Sequence, residues 1–297
     1  MAHGLDVVAI GHDGVRRVGF NAPSGPGLEL EVVARDELGR RAPSTLGQPH
    51  RTEFHRLMLV DSGRTWHEVD FVEHQLGPRT VLWVRPGQVQ RFGPPVNGEL
   101  VLFTHGVPAA RSAELAMPLG DARGGPVRHL DADAYIGIRE MARQLRLEAS
   151  CATASADAAR RHLLSVLLLR LGRTDAAGPA VGDPDGVAAR FAAAVERDFA
   201  RTHRVADYAA LLGYSVRTLT RASTAATGLS AREVVDARIA LEAKRLLADT
   251  NLTAAAVGRR LGFSEPTNFG KFFLRHTGLT PAAFRRTPIR NPAVRPA

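Results

Sequence analysis

The order of apolar and polar residues divides the chain into a β-rich first part and a helical remainder. Segments 54–71, 79–92 and 98–106 are short apolar or alternating runs separated by Gly, Pro and Asp, which is the pattern of strands joined by turns. From about residue 131 onward, apolar residues recur every three or four positions, and helices are predicted over 135–149 and 156–172. The pattern therefore predicts an α+β protein in which the strands precede the helices.

Leucines line one face of the helix predicted over 156–172. Their spacing forms a single stripe of Leu164, Leu167, Leu168 and Leu171. Gly172 is predicted to end this helix. A stripe of this kind is either internal core of the domain or the seam of a homodimer formed through helix 156–171, and the spacing leaves both interpretations open.

Residues 172–186 have the composition of a linker. The segment GRTDAAGPAVGDPDG is rich in Gly, Pro, Ala and Asp, and it has no apolar periodicity. The Pro-rich end of the chain predicts a disordered tail over 289–297. These boundaries predict a first domain over 1–171, with strands to about residue 130 and helices over 131–171, and a second domain over 187–288.

Two segments of the second domain, 205–228 and 253–278, share one layout. In each, a short helix ends at a glycine and a serine caps the next helix, which is the arrangement of a helix-turn-helix. The residues at these positions are Gly213 with Ser215 and Gly262 with Ser264. Apolar residues at helical spacing over 232–251 predict a long helix between the two units. Such a helix would hold both second helices on one face of a duplex, about 34 Å apart.

The second helix of the second unit has one apolar face. Phe269 and Phe273 are four residues apart and share that face, whereas Thr267, Asn268, Lys271 and Arg275 fall on others. Gly278 is predicted to end this helix, with Thr280 capping the next and Pro281 at its first position. The helix can therefore anchor on one side and present polar and cationic groups on the other.

Charge is concentrated in the last third of the chain. The net charge is +9, and residues 187–297 carry 18 Lys and Arg against 8 Asp and Glu, a balance of +10. Residues 1–186 carry 21 against 22, a balance of −1. This asymmetry indicates a polyanion-binding module, although charge alone fits a solubilising surface equally well.

Composition excludes several other classes of protein. A single cysteine, Cys151, excludes an internal disulfide framework and a multi-cysteine zinc site. No run of 18 apolar residues predicts a membrane span, and the N-terminus lacks the pattern of a secretory signal. We therefore expect a cytoplasmic protein with no membrane partner.

Residues 187–286 resemble the DNA-binding domain of the AraC/XylS family of bacterial transcriptional regulators. The resemblance runs through RIALEAKRLL (238–247), LGF (261–263), NFGKFF (268–273) and GLTPAAFR (278–285), and more loosely through AALLGYSVRTLTR (209–221). It implies an all-α domain with two helix-turn-helix units joined by a long helix, a double-stranded DNA operator as partner, and RNA polymerase as a further partner of an activator.

The resemblance also implies which side chains read DNA. The groove-facing residues it implies are Arg217, Thr218, Thr220, Arg221, Thr267, Asn268 and Lys271. Residues near helix ends are expected at phosphates, and these are Ser215, Ser264, Arg259, Arg260, Arg285 and Arg286. For each groove-facing residue, phosphate contact or simple solvation is the alternative. Gly258 departs from the alanine usual in the family, at a cost of about 0.5–1 kcal/mol of helix stability, and Pro266 is tolerable in a first turn.

Residues 1–130 resemble, more weakly, the cupin-like β-barrel sensor of the same family, through HRLMLVDSG (55–63) and VLWVRPGQVQRF (81–92). Metal-binding cupins place a histidine soon after the Pro-Gly, where this chain has Gln88 and Gln90, so we expect no metal despite His55, His67 and His74. Four aromatic residues either line a pocket for a small-molecule effector or fill the barrel. They are Trp66, Phe71, Trp83 and Phe92.

Two other classes of protein share parts of this pattern. A cupin-type enzyme with an accessory nucleic-acid domain would need the absent metal motif. A DNA-repair methyl acceptor would need a cysteine-rich zinc site and a reactive thiol in a specific context, and Cys151 has neither. We therefore expect a DNA-binding transcription regulator that is not an enzyme and needs no cofactor.

Overall fold

A computed structural model describes residues 7–10, 16–20, 29–41, 48–107, 125–149, 151, 153–174 and 186–286. The chain forms two compact units, Met1–Ala177 and Gly178–Ala297. The division lies inside the segment predicted as a linker, most of which is outside the described residues, as is the predicted tail over 289–297. In the part of the chain that the structure describes, no helix combines the length and the apolar character needed to cross a bilayer.

The N-terminal unit is built on two β-sheets. Its strands are β1 Val7–Ile10, β2 Arg16–Val18, β3 Leu30–Ala34, β4 His50–Thr52, β5 His55–Ser62, β6 Thr65–Val69, β7 Val72–Leu76, β8 Thr80–Val84, β9 Val89–Phe92, β10 Asn97–Phe103 and β11 Val127–His129. One sheet has the order β1-β2-β4-β9-β6-β7 and the other the order β11-β8-β5-β10-β3. Neighbouring strands are antiparallel except β2 and β4, which are parallel. A short helix that the sequence pattern did not predict, α1 Arg35–Arg41, follows β3.

The second sheet is buried on both faces, because its strands alternate between two apolar cores. Met58 and Val60 of β5 face the first sheet, in a core that includes Phe92. Leu57 and Leu59 of the same strand pack on the opposite face. This double burial explains the near-continuous apolar runs in β5, β8 and β10.

Two helices cover the outer face of this second sheet. They are α2 Ala132–Glu148 and α3 Ala154–Thr174. Helix α2 begins at Asp131, whose side chain accepts a hydrogen bond from the Ala134 N–H at 2.7 Å. Helix α3 continues past Gly172, so the predicted stop at that glycine is wrong.

The leucine stripe of α3 lies inside the N-terminal unit. Leu164, Leu167 and Leu168 are fully buried and Leu171 is 1% exposed, and they pack with Trp83 of β8. Side chains already covered within one chain cannot form a seam with a second. The stripe is therefore internal core of the domain, and the alternative that these leucines form a homodimer seam is wrong.

The C-terminal unit is helical throughout its described residues. Its helices are α4 Val187–Asp198, α5 Val205–Leu212, α6 Val216–Thr227, α7 Ala231–Asp249, α8 Ala254–Arg260, α9 Pro266–Thr277 and α10 Pro281–Arg286. Helices α5 and α6 form one helix-turn-helix, and α8 and α9 form the other, as the sequence predicted. The long connecting helix is α7, which begins with a capping box between Ser230 and Glu233.

Helix α7 contributes to the apolar core of both helix-turn-helix units. Val235 and Ile239 pack in the core around α5 and α6, whereas Ala243 and Leu246 pack in the core around α8 and α9. Phe263 lies against both cores. Both helix-turn-helix units therefore pack on the same helix, α7. This shared packing fixes the position of the second helix of each unit.

Candidate nucleic-acid interface

The turn between α5 and α6 is set by a glycine and a capping serine. Gly213 has φ +72°, a left-handed conformation that favours glycine. Ser215 then accepts a hydrogen bond from the Thr218 N–H at 3.0 Å, which satisfies one of the free donors at the start of α6. The predicted start of α6, the second helix of the first helix-turn-helix unit, is therefore confirmed.

The turn between α8 and α9 uses a different cap. Gly262 has φ +85°, and a Cβ atom there would lie 2.5 Å from the Ala200 carbonyl oxygen, so this close approach requires glycine. Glu265, and not Ser264, occupies the N-cap position, without a side-chain hydrogen bond to the helix. Pro266 follows at the first helical position, where a missing N–H costs nothing. The cap predicted for Ser264 is wrong, and Ser264 is an exposed turn residue.

Helix α6 separates into an anchored face and a free face. Leu219, Ala222 and Ser223 are buried against the rest of the unit. Arg217 and Arg221, four residues apart, are exposed on one side of the helix, and Thr218 and Thr220 are half-buried beside them. The predicted reading residues of this helix thus form a continuous polar surface.

Helix α9 repeats this separation. Phe269 and Phe273 are fully buried, and Phe272, which the sequence analysis did not place in the core, is 6% exposed. Thr267, Asn268 and Lys271 are exposed on the remaining faces. Arg275 is also exposed, one helical turn beyond Lys271. Its exposure was expected from its i+4 spacing from Lys271, although it was not among the groove-facing residues that the resemblance implied.

Exposed cations of this unit differ in whether they have acidic partners. Some arginines outside α6 and α9 pair with carboxylates: Arg197 with Asp198 at 2.7 Å, Arg232 with Asp236 at 2.9 Å, and the half-buried Arg238 with Glu196 at 2.6 Å. The exposed Arg259 and Arg260, also outside these two helices, have no carboxylate within ion-pair distance among the described residues. Over residues 186–286, no carboxylate lies within ion-pair distance of Arg217, Arg221 or Lys271. Helices α6 and α9 therefore present cations whose charge remains available to a polyanion.

The residues predicted at phosphates do not all lie on the surface. Arg259, Arg260 and Arg286 are exposed, as is Ser215. Arg285 is instead half-buried and donates to the Leu247 carbonyl at 3.2 Å, the Thr250 carbonyl at 3.2 Å and the Leu252 carbonyl. Its guanidinium thus closes the C-terminal end of α7, a structural role that removes it from the candidate phosphate contacts.

Gly258 brings α8 and α9 into close contact. A Cβ atom on Gly258 would lie 2.9 Å from Cβ and 3.0 Å from Cγ of Phe269. The glycine that departs from the family pattern therefore costs helix propensity but permits this close packing of Phe269.

Two family models match the chain and together cover both units. Residues 39–171 match the AraC-like ligand-binding domain, and residues 208–287 match a helix-turn-helix domain. The DNA-binding domain of AdpA, a global transcriptional factor solved in complex with a target DNA, is 31% identical, covers 34% of this chain and 90% of its own, and has a TM-score of 0.31. The chain belongs to the AraC family of transcriptional regulators.

Two other solved structures share less sequence identity with this AraC family chain. ToxT from Vibrio cholerae is 10% identical over 86% of this chain and 97% of its own, with a TM-score of 0.43. The C-terminal domain of AraT, a response regulator from Geobacillus stearothermophilus, is 21% identical over 37% of this chain and 90% of its own, with a TM-score of 0.32. A search of curated proteins finds no match.

The AraC-like ligand-binding domain does not bring its four predicted aromatic residues together. Phe92 lies between the two sheets, whereas Trp83 lies in the core beneath α2 and α3, where its indole N–H donates to His55 Nδ1 at 3.2 Å. Trp66 precedes the inward-facing His67 in β6 and so points to the other face, where the Arg91 guanidinium stacks on it. Phe71 is half-buried in the β6–β7 turn, with φ +69°.

Three histidines named from the sequence do not form one cluster, although His67 and His74 lie directly opposite each other in β6 and β7. His67 is buried between the sheets, His55 packs on the helix side, and His74 is half-buried in β7. Burial lowers the pKa of His55 to about 3, with smaller contributions from His105 and Arg85. Among the residues that the structure describes, no three His, Cys, Asp or Glu side chains form a group that could hold a metal ion.

Proposed function

We propose that this AraC family protein is a sequence-specific DNA-binding transcription regulator whose reading helices α6 and α9 enter successive major grooves. The observation that carries the proposal is the pair of exposed polar faces on these helices, each with cations that lack acidic partners. Shared packing on α7 would hold the two faces at a fixed spacing suited to one turn of B-DNA, about 34 Å.

The chemistry of the two faces suits base recognition. Arg217, Arg221 and Lys271 can donate to guanine, and Asn268 can pair with adenine. Thr218, Thr220 and Thr267 can contact the thymine methyl group. Contacts to phosphates are proposed for Ser215, Ser264, Arg259, Arg260 and Arg286, which would position the reading helices without reading sequence.

We further propose that the N-terminal domain, residues 1–171, controls DNA binding through a small molecule. The domain after the linker, residues 187–288, would act on operators of the genomic DNA in the cytoplasm. An activator would also contact RNA polymerase, and transcription from an operator-bearing template in vitro distinguishes activation from repression. The operator itself is found by sequencing the genomic fragments that the purified protein retains.

The test of base reading compares Lys271→Ala and Arg221→Ala with Arg201→Ala. Arg201 is exposed and pairs with Asp198 at 3.3 Å, outside both reading helices, so its loss controls for charge alone. Each reading-helix variant should lose about 1–3 kcal/mol of affinity for the operator and relax the preference for one or two bases. The control should change affinity for operator and scrambled duplex little.

The measurement is a titration of each variant against operator and scrambled duplexes at several salt concentrations. Equal weakening on both duplexes by Lys271→Ala would mean that its side chain contacts the DNA backbone, and would overturn the assignment of α9. Failure of the unchanged protein to prefer any genomic fragment would overturn sequence-specific recognition as a whole.

A further inference from the structure

A cationic side chain is enclosed between the two sheets of the N-terminal unit. Arg56 of β5 is 1% exposed, and its Nη1 donates to Gln90 Oε1 at 3.0 Å and to His50 Nε2 at 3.3 Å. His67 Nε2 donates to the same Gln90 oxygen at 3.1 Å. Arg56 therefore lies at the centre of a buried polar network in the core of the sensor domain.

No member of this network carries a negative charge. His50 donates from Nδ1 to the Gln48 carbonyl at 3.0 Å and so presents an unprotonated Nε2 to Arg56. Burial, and secondarily the charge of Arg56, lowers the pKa of His50 to about 3, and the same causes, in the same order, lower that of His67. Both imidazoles are neutral at pH 7, so they accept or donate hydrogen bonds without balancing the guanidinium.

A second arginine makes the interior more cationic. The guanidinium carbons of Arg35 and Arg56 lie 4.4 Å and 4.8 Å from the centroid of the Phe92 ring. Burial, followed by the charge of Arg35, lowers the pKa of Arg56 to about 9. Arg56 is nevertheless protonated at pH 7, and the interior holds a positive charge at an energetic cost.

The free donors of Arg56 lie along one edge of its guanidinium. Nε and Nη2 are buried and have no hydrogen-bond partner among the described residues. The N–H groups of Nε and Nη2 are parallel donors on one edge of the guanidinium. This is the arrangement in which an arginine binds both oxygens of a carboxylate. Two other buried arginines each have a carboxylate partner within the chain, since Arg91 contacts Glu68 at 2.5 Å and Arg160 contacts Asp157.

We propose that a small carboxylate ligand binds in the N-terminal unit on the Nε and Nη2 edge of Arg56. This inference deepens the proposed function, because it names the chemical class of the molecule that controls the regulator. The ligand would supply the negative charge that the network lacks, and Gln90 with His50 would hold the guanidinium in place by its third nitrogen. Because leaving a buried charge unpaired is strongly destabilising, binding should stabilise this unit.

The test follows thermal unfolding of the full chain by tryptophan fluorescence. Both tryptophans, Trp66 and Trp83, lie in the N-terminal unit, so the signal reports that unit alone. The probes are sodium acetate and sodium hexanoate, the uncharged acetamide and hexanamide, and inorganic phosphate, all at constant ionic strength. The variants are Arg56→Met, and Arg91→Met as a matched control that removes a buried arginine already paired with Glu68.

A carboxylate should raise the unfolding midpoint of the unchanged protein by about 4–7 °C at twenty times its Kd. The amides should have no such effect. Arg56→Met should abolish the shift and, without ligand, be at least as stable as the unchanged protein, because an apolar side chain replaces an unpaired charge. Arg91→Met should unfold at a lower temperature but keep the carboxylate shift.

Any of four results would overturn the proposal. A carboxylate shift that persists in Arg56→Met would place the anion on the basic surface of the chain. A ligand-free Arg56→Met as unstable as Arg91→Met would mean that Arg56 is already paired within the chain. A shift with phosphate alone would overturn the carboxylate class. If no carboxylate shift depends on Arg56 but the protein still binds its operator, the proposed ligand site is wrong and the proposed regulator function stands. If the shift depends on Arg56 but the protein binds no operator, the regulator function is wrong and the ligand site stands.

Discussion

At the scale of single residues, the N-terminal unit depends on histidines that are buried without charge. His50, His55 and His67 are at most 1% exposed, and burial is the largest cause of the lowered pKa of each. The unfolded chain takes up protons on these rings as the pH falls through about 6.5. The folded chain does not, until the pH approaches 3 for His50 and His55. Stability must therefore decrease with acidification over this range.

We expect the urea midpoint of the N-terminal unit, read by tryptophan fluorescence, to fall steadily between pH 6.5 and pH 4. His50 and His55 each contribute on the order of a few kcal/mol across the whole window. His50→Gln keeps a polar side chain of similar length but removes one titrating group, so its midpoint should fall less steeply with pH. A midpoint independent of pH over this range would show that these rings are accessible to solvent protons in the folded state.

The polar faces of α6 and α9 could be predicted from the sequence because amphipathic spacing determines which side of a helix is covered. Arg221 and Lys271 are exposed since Leu219 and Phe269 beside them fill the core. The partners of Arg285 could not be predicted, because a cation near a helix end can face either solvent or the carbonyls of another helix. Only the fold brings the end of α7 against that guanidinium, across 38 residues of sequence.

At the scale of helices and strands, the alternation of apolar residues left open whether the four aromatic residues line a ligand pocket or fill the barrel. Trp83 and Phe92 both lie in strands with apolar neighbours, and a sheet covered on both faces leaves no polar residues to mark which face is inside. The leucines of α3 were ambiguous for a related reason, since a core stripe and a dimer seam have the same spacing. The buried arginine in β5 gave no periodic signal at all.

The contact between α8 and α9 gives a prediction in which two glycines respond oppositely. Gly258→Ala places a Cβ atom 2.9 Å from Phe269, so overpacking should outweigh the gain in helix propensity and destabilise the C-terminal unit by about 1–3 kcal/mol. Gly270→Ala, in the neighbouring helix, meets no atom within 4 Å and should stabilise the unit by about 0.5–1 kcal/mol.

Urea unfolding followed by far-ultraviolet circular dichroism measures both variants, and tryptophan fluorescence checks that the N-terminal unit is unchanged. If Gly258→Ala were as stable as Gly270→Ala, the two helices would have to separate at no cost. The tight packing described for Phe269 would then be incorrect.

At the scale of the whole molecule, charge and function are divided between the two units. Nearly all the excess positive charge lies after residue 186, where residues 187–297 carry a balance of +10 against −1 in the rest of the chain. The salt dependence of DNA affinity should therefore arise in the C-terminal unit. Arg259→Gln and Arg286→Gln should each flatten the plot of log affinity against log salt by about one counterion.

Arg64→Gln provides the matched control, because Arg64 is an equally exposed arginine of the N-terminal unit. Its loss should leave the salt slope unchanged, whereas a slope that changes as much as in Arg286→Gln would mean that both units contact DNA. The measurement is a set of equilibrium titrations of each variant with one duplex at four or more salt concentrations.

The attachment of Arg285 to the end of α7 has a consequence for where the gene can be interrupted. A stop codon after residue 284 would remove the guanidinium that donates hydrogen bonds to three carbonyl groups, although α6 and α9 would still be translated. A stop codon two codons later would leave that attachment intact. Nonsense mutations on either side of Arg285 should therefore differ sharply in phenotype. DNA binding should require the codons up to and including that of Arg285, although the last residue proposed to contact a base is Lys271.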